Sequence, residues 1–216
     1  MHQNTKIHNM IESQLKPNNI VDENLLSAFA KINQENFLPQ YYSNQSYVDD
    51  HIVINNSRFL LKPLITAKLI SVLKISKEEH LLEIGTSIGY TTSILANFSN
   101  NICTVEHDES FYSLAINNFK KNKINNIKIF LDNYANLKAV NSLFDKIIIN
   151  GSVNKDPLNI INKLKINGKL ACIYKNGYSS NLCLYTKTKN NFEKIIISNA
   201  SAPLLINYID KENFSF

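Results

Sequence analysis

The alternation of apolar and polar positions divides the chain into three zones, of which the middle one, residues 80–175, has the clearest pattern. Short apolar runs there alternate with stretches of helical periodicity. The runs predict strands at 81–84, 102–106, 127–131, 146–149 and 169–174, and the periodic stretches predict helices at 90–98, 109–122 and 158–164. Strands separated by helices indicate βαβ units, which form a parallel sheet with right-handed crossovers.

The two flanking zones have different patterns. Before the alternating zone, helical spacing predicts a helix at 10–15 that Pro17 stops, a helix at 23–32 capped by Asp22 and a largely buried helix at 63–73, with a short strand at 52–54. After it, the apolar runs 181–186 and 192–198 enclose a polar stretch, which is typical of a hairpin. The sequence therefore predicts an N-terminal helical cap and a C-terminal antiparallel hairpin.

Together these zones predict an α/β fold with a doubly wound, mostly parallel, seven-stranded sheet of the Rossmann-like kind. Residues 1–75 are expected to form the helical cap and the substrate-side segment. Residues 76–216 are expected to form the cofactor-binding core as one continuous structural unit. A chain of 216 residues with 44% hydrophobic residues is long enough to bury a sizeable core.

Charge and hydropathy exclude several function classes. The net charge of +5 is mild, and the densest lysine cluster, residues 120–123, falls at a predicted helix end, where cations favour the helix dipole. No nucleic-acid partner is expected. No stretch is apolar enough to span a bilayer, and the polar start of the chain lacks the core of a secretory signal, so a cytoplasmic protein without a membrane partner is predicted.

The three cysteines, Cys103, Cys172 and Cys183, are widely spaced in strand-like apolar runs. None forms a CxxC pair. This pattern predicts buried, reduced thiols rather than a disulfide framework or a metal site.

A glycine turn carries the clearest chemical signal. The predicted strand 81–84 contains Glu83, the turn Gly85–Gly89 follows, and a second strand ends in Glu106. Glycines let the backbone approach a ligand, and an acid about twenty residues further on can accept hydrogen bonds from ribose hydroxyls. The pattern predicts a nucleotide-shaped cofactor at the carboxyl edge of the sheet.

Two other interpretations of this turn fit the sequence less well. A dinucleotide site needs G-x-G-x-x-G, which residues 85–90 do not supply. The same residues match the G-x-S-x-G nucleophile elbow of hydrolases around Ser87. That triad would need a histidine base, and the only histidine after Ser87 is His107, at the end of the very next strand.

S-adenosylmethionine (SAM) is the third interpretation, and it agrees best with the pattern. The turn has an acid before it and serine in place of a middle glycine, Glu106 is the expected ribose acid, and Asp132 follows the third strand, where it could accept from an adenine amino group. Each acid also has a plain structural alternative. Glu83 would cap the turn, Glu106 would belong to an N-cap cluster, and Asp132 would lie in an ordinary loop.

Segments across nearly the whole chain follow one another in a familiar order. They lie at residues 10–15, 20–22, 26–29, 35–39, 46–49, 82–90, 105–106, 144–149 and 164–170. In this order and composition the chain resembles the protein-L-isoaspartate O-methyltransferase family.

The resemblance implies SAM as cofactor and, as partner, a protein or peptide with an isoaspartyl or D-aspartyl residue, whose carboxyl group is methylated. It implies a cofactor site formed by Glu83, Gly85, Thr86, Ser87, Gly89, Tyr90, Glu106, His107, Asp132 and Asn133, and no metal.

The chain departs from the family at residues 57–63. The family carries a polar segment here whose serine or threonine hydroxyls help to orient the substrate carboxylate, whereas this chain has Phe59 and Leu61 at those positions. Arg58 or Lys62 could replace them by pairing with a carboxylate. Arg58, Phe59 and Leu61 are therefore the acceptor-side candidates. The alternative is a divergent member that binds SAM but has another acceptor or no catalysis; a nucleic-acid methyltransferase is a distant third.

Overall fold

A short helical region and a two-stranded hairpin precede the main sheet. The computed structural model describes residues 2–55, 58–134 and 136–205. The first helix, α1 (His2–Met10), is followed without a break by a π-helical stretch at Ile11–Leu15 and a 3₁₀ turn at Lys16–Asn18. The other main elements of this region are α2 (Glu23–Lys31), β1 (Ile52–Asn55), β2 (Arg58–Leu60) and α3 (Pro63–Leu73).

Seven strands form the main sheet, and they alternate with three helices over most of its length. These elements are β3 (His80–Ile84), α4 (Tyr90–Leu95), β4 (Asn101–Glu106), α5 (Glu109–Lys121), β5 (Ile127–Leu131), β6 (Phe144–Val153), α6 (Leu158–Ile161), β7 (Leu164–Asn176), β8 (Ser179–Lys187) and β9 (Phe192–Asn199).

The strand order is β5-β4-β3-β6-β7-β8-β9. Strands β3 to β7 are parallel to one another, whereas β8 is antiparallel to both β7 and β9. The order reverses between β3 and β6, and the carboxyl ends of the strands at such a point form the crevice in which open α/β sheets bind ligands. The predicted mostly parallel sheet with a C-terminal hairpin is confirmed.

Each face of the sheet has its own hydrophobic cluster. One contains residues of α1, α2, α3 and α4 together with one face of the strands. The other contains residues of α6 and of the loop between β5 and β6. The N-terminal helices pack against the sheet, because their buried side chains belong to the same cluster as one face of the strands. The predicted division of the chain at residue 75 stays a prediction.

The sequence placed the strands well, and the differences have local causes. The strand predicted at 146–149 continues to Val153 through a register shift, and the helix predicted at 90–98 ends as an α-helix at Leu95. The helix predicted at 10–15 is part of a longer helical stretch that begins at residue 2, and Asn19, in the left-handed conformation, ends it. Asp22 caps α2 as predicted, since its carboxylate accepts a hydrogen bond from the Leu25 amide at 2.8 Å.

The cysteines follow the prediction: all three are buried and none is bonded to another. Within the described ranges no helix has both the length and the apolar character that crossing a bilayer requires. The same ranges hold no cluster of three or more metal-ligating side chains.

Candidate active site

In the turn after β3, every second residue from Gly85 to Gly89 has a left-handed backbone conformation. Gly85 has φ +93°, Ser87 has φ +51° and Gly89 has φ +83°. The Gly85 and Thr86 amides both donate to the Val105 carbonyl, at 3.0 and 3.2 Å, so the turn is fixed to the end of β4. A left-handed conformation costs a non-glycine residue about 1–2 kcal/mol, which Ser87 bears at the position where the cofactor motif has a middle glycine.

The two glycines of the turn are required by different neighbours. A Cβ at Gly89 would lie 2.6 Å from the Phe119 ring of α5, so this glycine lets the helix pack closely. A Cβ at Gly85 would lie 3.3 Å from the Leu205 side chain and 3.6 Å from Asn150. The C-terminal segment therefore covers the backbone at the start of the turn.

Glu106, at the end of β4, is fully buried and receives hydrogen bonds from several sides. Its Oε2 accepts from the Ser87 amide at 2.8 Å, which joins the turn to the predicted ribose acid. Its Oε1 accepts from the amides of His107 and Asp108, at 2.9 and 3.0 Å, and from the Tyr134 hydroxyl at 3.1 Å. These donors hold the carboxylate in one orientation at the sheet edge.

Arg58, on the short strand β2, makes the strongest contact with this carboxylate. Only 4% of Arg58 is exposed. Its Nε donates to Glu106 Oε1 at 3.1 Å, and its Nη2 lies closer still to the same oxygen. The guanidinium also lies 5.6 Å from the centre of the Phe111 ring. The arrangement is a buried, charge-assisted pair between an acceptor-side candidate and the predicted ribose acid.

His107 completes this cluster as a neutral ring. Its Nδ1 lies 2.6 Å from Nη2 of Arg58, which can only donate, so Nδ1 is the accepting nitrogen. Burial lowers the pKa of His107 below its ordinary value, and the positive charge of Arg58 lowers it further. Ser87, Glu106 and His107, predicted from separate parts of the chain, are thus brought together with Arg58.

Glu83 is also predicted to serve the cofactor, but it lies beneath the turn. It is fully buried, and its Oε2 accepts hydrogen bonds from the Thr92 hydroxyl and, at 2.7 Å, from the Thr104 hydroxyl. Its Oε1 has no hydrogen-bond partner. Burial, only partly offset by the two threonines, raises the pKa of the Glu83 carboxyl to about 8. Its contacts join β3 to α4 and β4, below the ligand-facing side of the turn.

The raised pKa gives a pH test of Glu83. Between pH 4.5 and about 8 the folded protein holds a proton that the unfolded chain releases, so the stability from this group is lost as the pH rises through that window. Glu83→Gln mimics the protonated side chain. We expect its free energy of unfolding, relative to the unsubstituted protein, to increase from pH 5 to 8 by up to about 1.4 kcal/mol per pH unit.

Urea denaturation at several pH values measures this difference. The control is Glu12→Gln, because the exposed Glu12 pairs with Lys16 and its pKa is lowered, so it is already charged throughout this range. A difference for Glu83→Gln that stays flat with pH would contradict a protonated Glu83.

The remaining predicted cofactor residues take varied positions. The carboxylate of Asp132 accepts from the amides of Asn133, at 2.7 Å, and Ala139, at 2.6 Å, so it caps its own loop. Thr86 is buried with its hydroxyl 2.6 Å from that of Thr104, and Tyr90 is buried edge-on against Phe37. The role of each in cofactor binding stays a prediction.

The three acceptor-side candidates have different surroundings. Leu61 is 1% exposed and belongs to the hydrophobic cluster that includes α3, so its side chain packs inside the protein. Phe59 lies beside the turn: its carbonyl accepts from the Ser87 hydroxyl at 3.3 Å, and its ring would be 3.1 Å from a Cβ at Gly151. Arg58 and Phe59, but not Leu61, therefore reach the sheet edge.

Two further residues at this edge carried no signal in the sequence motif. Asn150 and Ser152, near the end of β6, each have a buried polar atom with no partner, Oδ1 and Oγ respectively. The amide of Asn150 donates to the Gly85 carbonyl at 3.1 Å. The backbone of Ser152 pairs with the segment that ends in Leu205. Both residues follow closely after the strand predicted at 146–149, and this position is the signal that could have identified them.

These observations fit a nucleoside cofactor that also carries an amino acid group. Glu106 offers a fixed carboxylate for ribose hydroxyls. Asn150 lies next to Gly85, Ser152 follows it two residues further along β6, and each has an unpartnered buried oxygen. An unpartnered buried polar atom is costly and calls for an explanation, which a bound polar ligand would supply.

The hydrolase interpretation has no support in this geometry. The Ser87 hydroxyl donates to the Phe59 carbonyl and not to a base. His107 is occupied by Arg58. Among the residues that the structure describes, no hydrogen bond joins a histidine to Ser87, so a nucleophile and its base are not paired.

Comparisons with known proteins match most of this chain to one family. The family model described as Protein-L-isoaspartate(D-aspartate) O-methyltransferase matches residues 5–213. A protein-L-isoaspartate O-methyltransferase of Petrotoga mobilis is 30% identical over 162 residues, which cover 74% of this chain and 76% of that protein. One from Proteus mirabilis is 28% identical over 158 residues, which cover 73% and 76%.

A solved structure has the same fold. It is a Plasmodium falciparum protein described as a protein-L-isoaspartate O-methyltransferase, in complex with S-adenosyl-L-homocysteine (SAH). It superposes with a TM-score of 0.75 at 21% identity, covering 95% of this chain and 98% of that one. The match extends over the helical region, the main sheet and the C-terminal hairpin.

Proposed function

This chain belongs to the protein-L-isoaspartate(D-aspartate) O-methyltransferase family, and we propose that it methylates the carboxyl group of isoaspartyl or D-aspartyl residues in proteins or peptides. SAM, when bound, supplies a methyl group on a sulfonium, a strong electrophile. A carboxylate nucleophile needs no base to attack it, so the work of the protein is to position two groups and to exclude water.

The single observation that carries this proposal is the fixed carboxylate of Glu106. Four donors besides Arg58 hold it: the amides of Ser87, His107 and Asp108 and the hydroxyl of Tyr134. A carboxylate oriented in this way at the end of the second parallel strand can accept both hydroxyls of a ribose. Asn150 and Ser152, at the neighbouring strand end, would meet the amino acid end of the cofactor.

Arg58 is the proposed anchor for the acceptor carboxylate. The family's hydroxyl positions hold Phe59 and Leu61 in this chain, and without them a carboxylate removed from water loses hydrogen bonds worth about 1.5–3 kcal/mol each. A guanidinium presents two parallel donors to a carboxylate, which supplies both charge and orientation. Phe59, whose ring lies against Gly151, would exclude water from the same place.

The second candidate function is a divergent member that binds SAM but methylates another acceptor or none. The burial of Leu61 favours it, because a hydroxyl at this position would point into the hydrophobic cluster rather than at a substrate. For either function we propose a cytoplasmic location, which three free, buried thiols support.

Labelled-methyl transfer from SAM to a synthetic peptide with one isoaspartyl residue tests the proposal. The control is the same peptide with normal aspartate, which differs only in the position of the carboxylate. We expect base-labile methyl ester to form on the isoaspartyl peptide alone. SAH binding without transfer to either peptide would support the divergent member, and transfer to both would contradict isoaspartyl selectivity.

A further inference from the structure

We propose that Arg58 closes the cofactor site in the cofactor-free protein, and that it has to leave Glu106 before a ribose can bind there. The inference rests on the proposed function, since it assumes that Glu106 is the ribose acid. It adds a step that the reaction itself does not require, namely the displacement of an internal cation that competes with the cofactor for the same carboxylate.

The hydrogen-bonding capacity of Glu106 carries the argument. Each carboxylate oxygen offers about two lone-pair sites. In this structure Oε1 accepts from four groups, which are Arg58, the amides of His107 and Asp108 and the Tyr134 hydroxyl, whereas Oε2 accepts from the Ser87 amide. The side chain has no exposed surface. A ribose that places one hydroxyl on each oxygen can therefore bind only if a donor on Oε1 is displaced.

The guanidinium is the donor that can be displaced. Three of the others are backbone amides, of which that of Ser87 belongs to the turn fixed on Val105 and those of His107 and Asp108 continue the chain from Glu106 itself. The fourth belongs to Tyr134, which is fully buried. The guanidinium of Arg58 instead lies at the end of a long, rotatable side chain. Its strand, β2, has three residues and pairs with β1 in a separate two-stranded sheet.

A second carboxylate is available to Arg58 after it leaves. Asp108, two residues after Glu106, is only partly buried, and its pKa is lowered mainly by the hydrogen bond from the Ser110 hydroxyl and to the smallest extent by the charge of Arg58. The guanidinium can therefore turn outward toward Asp108 and the acceptor without being left unpaired in the interior. This movement would prepare the acceptor anchor only once the cofactor is in place, so that the two substrates bind in a fixed order.

The composition supports a specific role for this cation. Arg58 is the only arginine among the 23 lysine and arginine residues of the chain. Lysine cannot replace it here without loss, because both Nε and Nη2 of Arg58 contact Glu106 Oε1, whereas lysine has a single side-chain nitrogen.

Calorimetric titration with SAH tests the inference. When the binding-competent state is only a fraction of the population, the apparent affinity falls by that fraction. We expect Arg58→Met, which removes the competing cation and keeps an apolar side chain of similar length, to bind SAH about tenfold or more tightly than the unsubstituted protein. Arg58→Lys should lie between the two. Equal or weaker binding by Arg58→Met would overturn the inference.

Lys146→Met is the matched control. Lys146 is also largely buried and paired with a carboxylate, Glu79 at 3.4 Å, but it lies at the start of β6, away from the sheet edge. Loss of this pair should leave SAH affinity unchanged. A comparable gain in the control would mean that removing any buried cation loosens the fold, which would also overturn the inference.

A second measurement needs no variant. Because the chain has one arginine, the ¹⁵N–¹H spectrum of a labelled sample contains one arginine Nε–H signal, that of Arg58. We expect this signal to be protected from exchange in the cofactor-free protein and to move toward the position of a solvated guanidinium when SAH saturates the site. An unmoved signal, while the amides of Gly85 and Ser87 report binding, would contradict the release of Arg58.

The two proposals fail in different ways. If the unsubstituted protein transfers methyl groups but Arg58→Met gains no affinity, the proposed function stands and the inference is wrong. If Arg58→Met binds SAH more tightly while no protein transfers a methyl group to the isoaspartyl peptide, the inference stands and the acceptor is different. If neither protein binds SAH, both are wrong.

Discussion

Glu106→Ala is expected to abolish SAH binding and to lower the free energy of unfolding by about 3–5 kcal/mol, the usual cost of leaving one member of a buried ion pair without its partner. The variant removes a carboxylate that accepts hydrogen bonds from five groups and leaves Arg58, only 4% exposed, with an uncompensated charge. Titration with SAH measures the first effect and urea denaturation the second.

The double variant Arg58→Met/Glu106→Ala separates the two effects. Without the unpaired cation, part of the stability should return, but SAH should still not bind because the ribose acid is absent. Glu12→Ala is the control, since it removes an exposed partner of Lys16 and should change neither property appreciably. SAH affinity near that of the unsubstituted protein in Glu106→Ala would show that Glu106 is not the ribose acid.

Gly89→Ala is the second substitution for which we expect a large effect. Alanine at φ +83° is strained by about 1–2 kcal/mol, and its Cβ would lie 2.6 and 2.9 Å from two atoms of the Phe119 ring, which adds about 1–3 kcal/mol of overpacking. Because Phe119 is itself buried on α5, the ring cannot turn away into solvent. We expect a total loss of about 2–5 kcal/mol in the free energy of unfolding.

Gly177→Ala is a matched control for the backbone term. Gly177 also has a positive φ, +56°, but a Cβ there would meet nothing within 4 Å. The free energy of unfolding of the control should fall only by the cost of alanine at a positive φ, about 1–2 kcal/mol. If both variants lose the same amount by urea denaturation, the close approach of Phe119 to the turn does not contribute.

Much of the site follows from the sequence, because parallel strands end at one edge. The predicted strands 81–84 and 102–106 place Ser87 and Glu106 side by side in any parallel pairing, and the structure joins them at 2.8 Å. Asp22 as a helix cap and the C-terminal hairpin also follow from local chemistry that needs no distant contact. These features depend on periodicity and turn residues, which a single sequence displays.

The features that the sequence did not reveal depend on distant partners. β2 has only three residues, too few for a periodic signal, and the burial of Arg58 depends on Glu106, 48 positions further along the chain. Leu205 covers Gly85 from a position 120 residues further along the chain. Matching Leu61 to a hydroxyl position of the family does not show that this side chain faces the hydrophobic cluster.

A crystal structure of this protein with SAH would test the central claim most directly. We predict the ribose hydroxyls on the carboxylate of Glu106, the amino acid end near Asn150 and Ser152, and the guanidinium of Arg58 away from Glu106. A ligand bound elsewhere, or a ribose that leaves the Arg58–Glu106 pair intact, would contradict the assignment of this sheet edge.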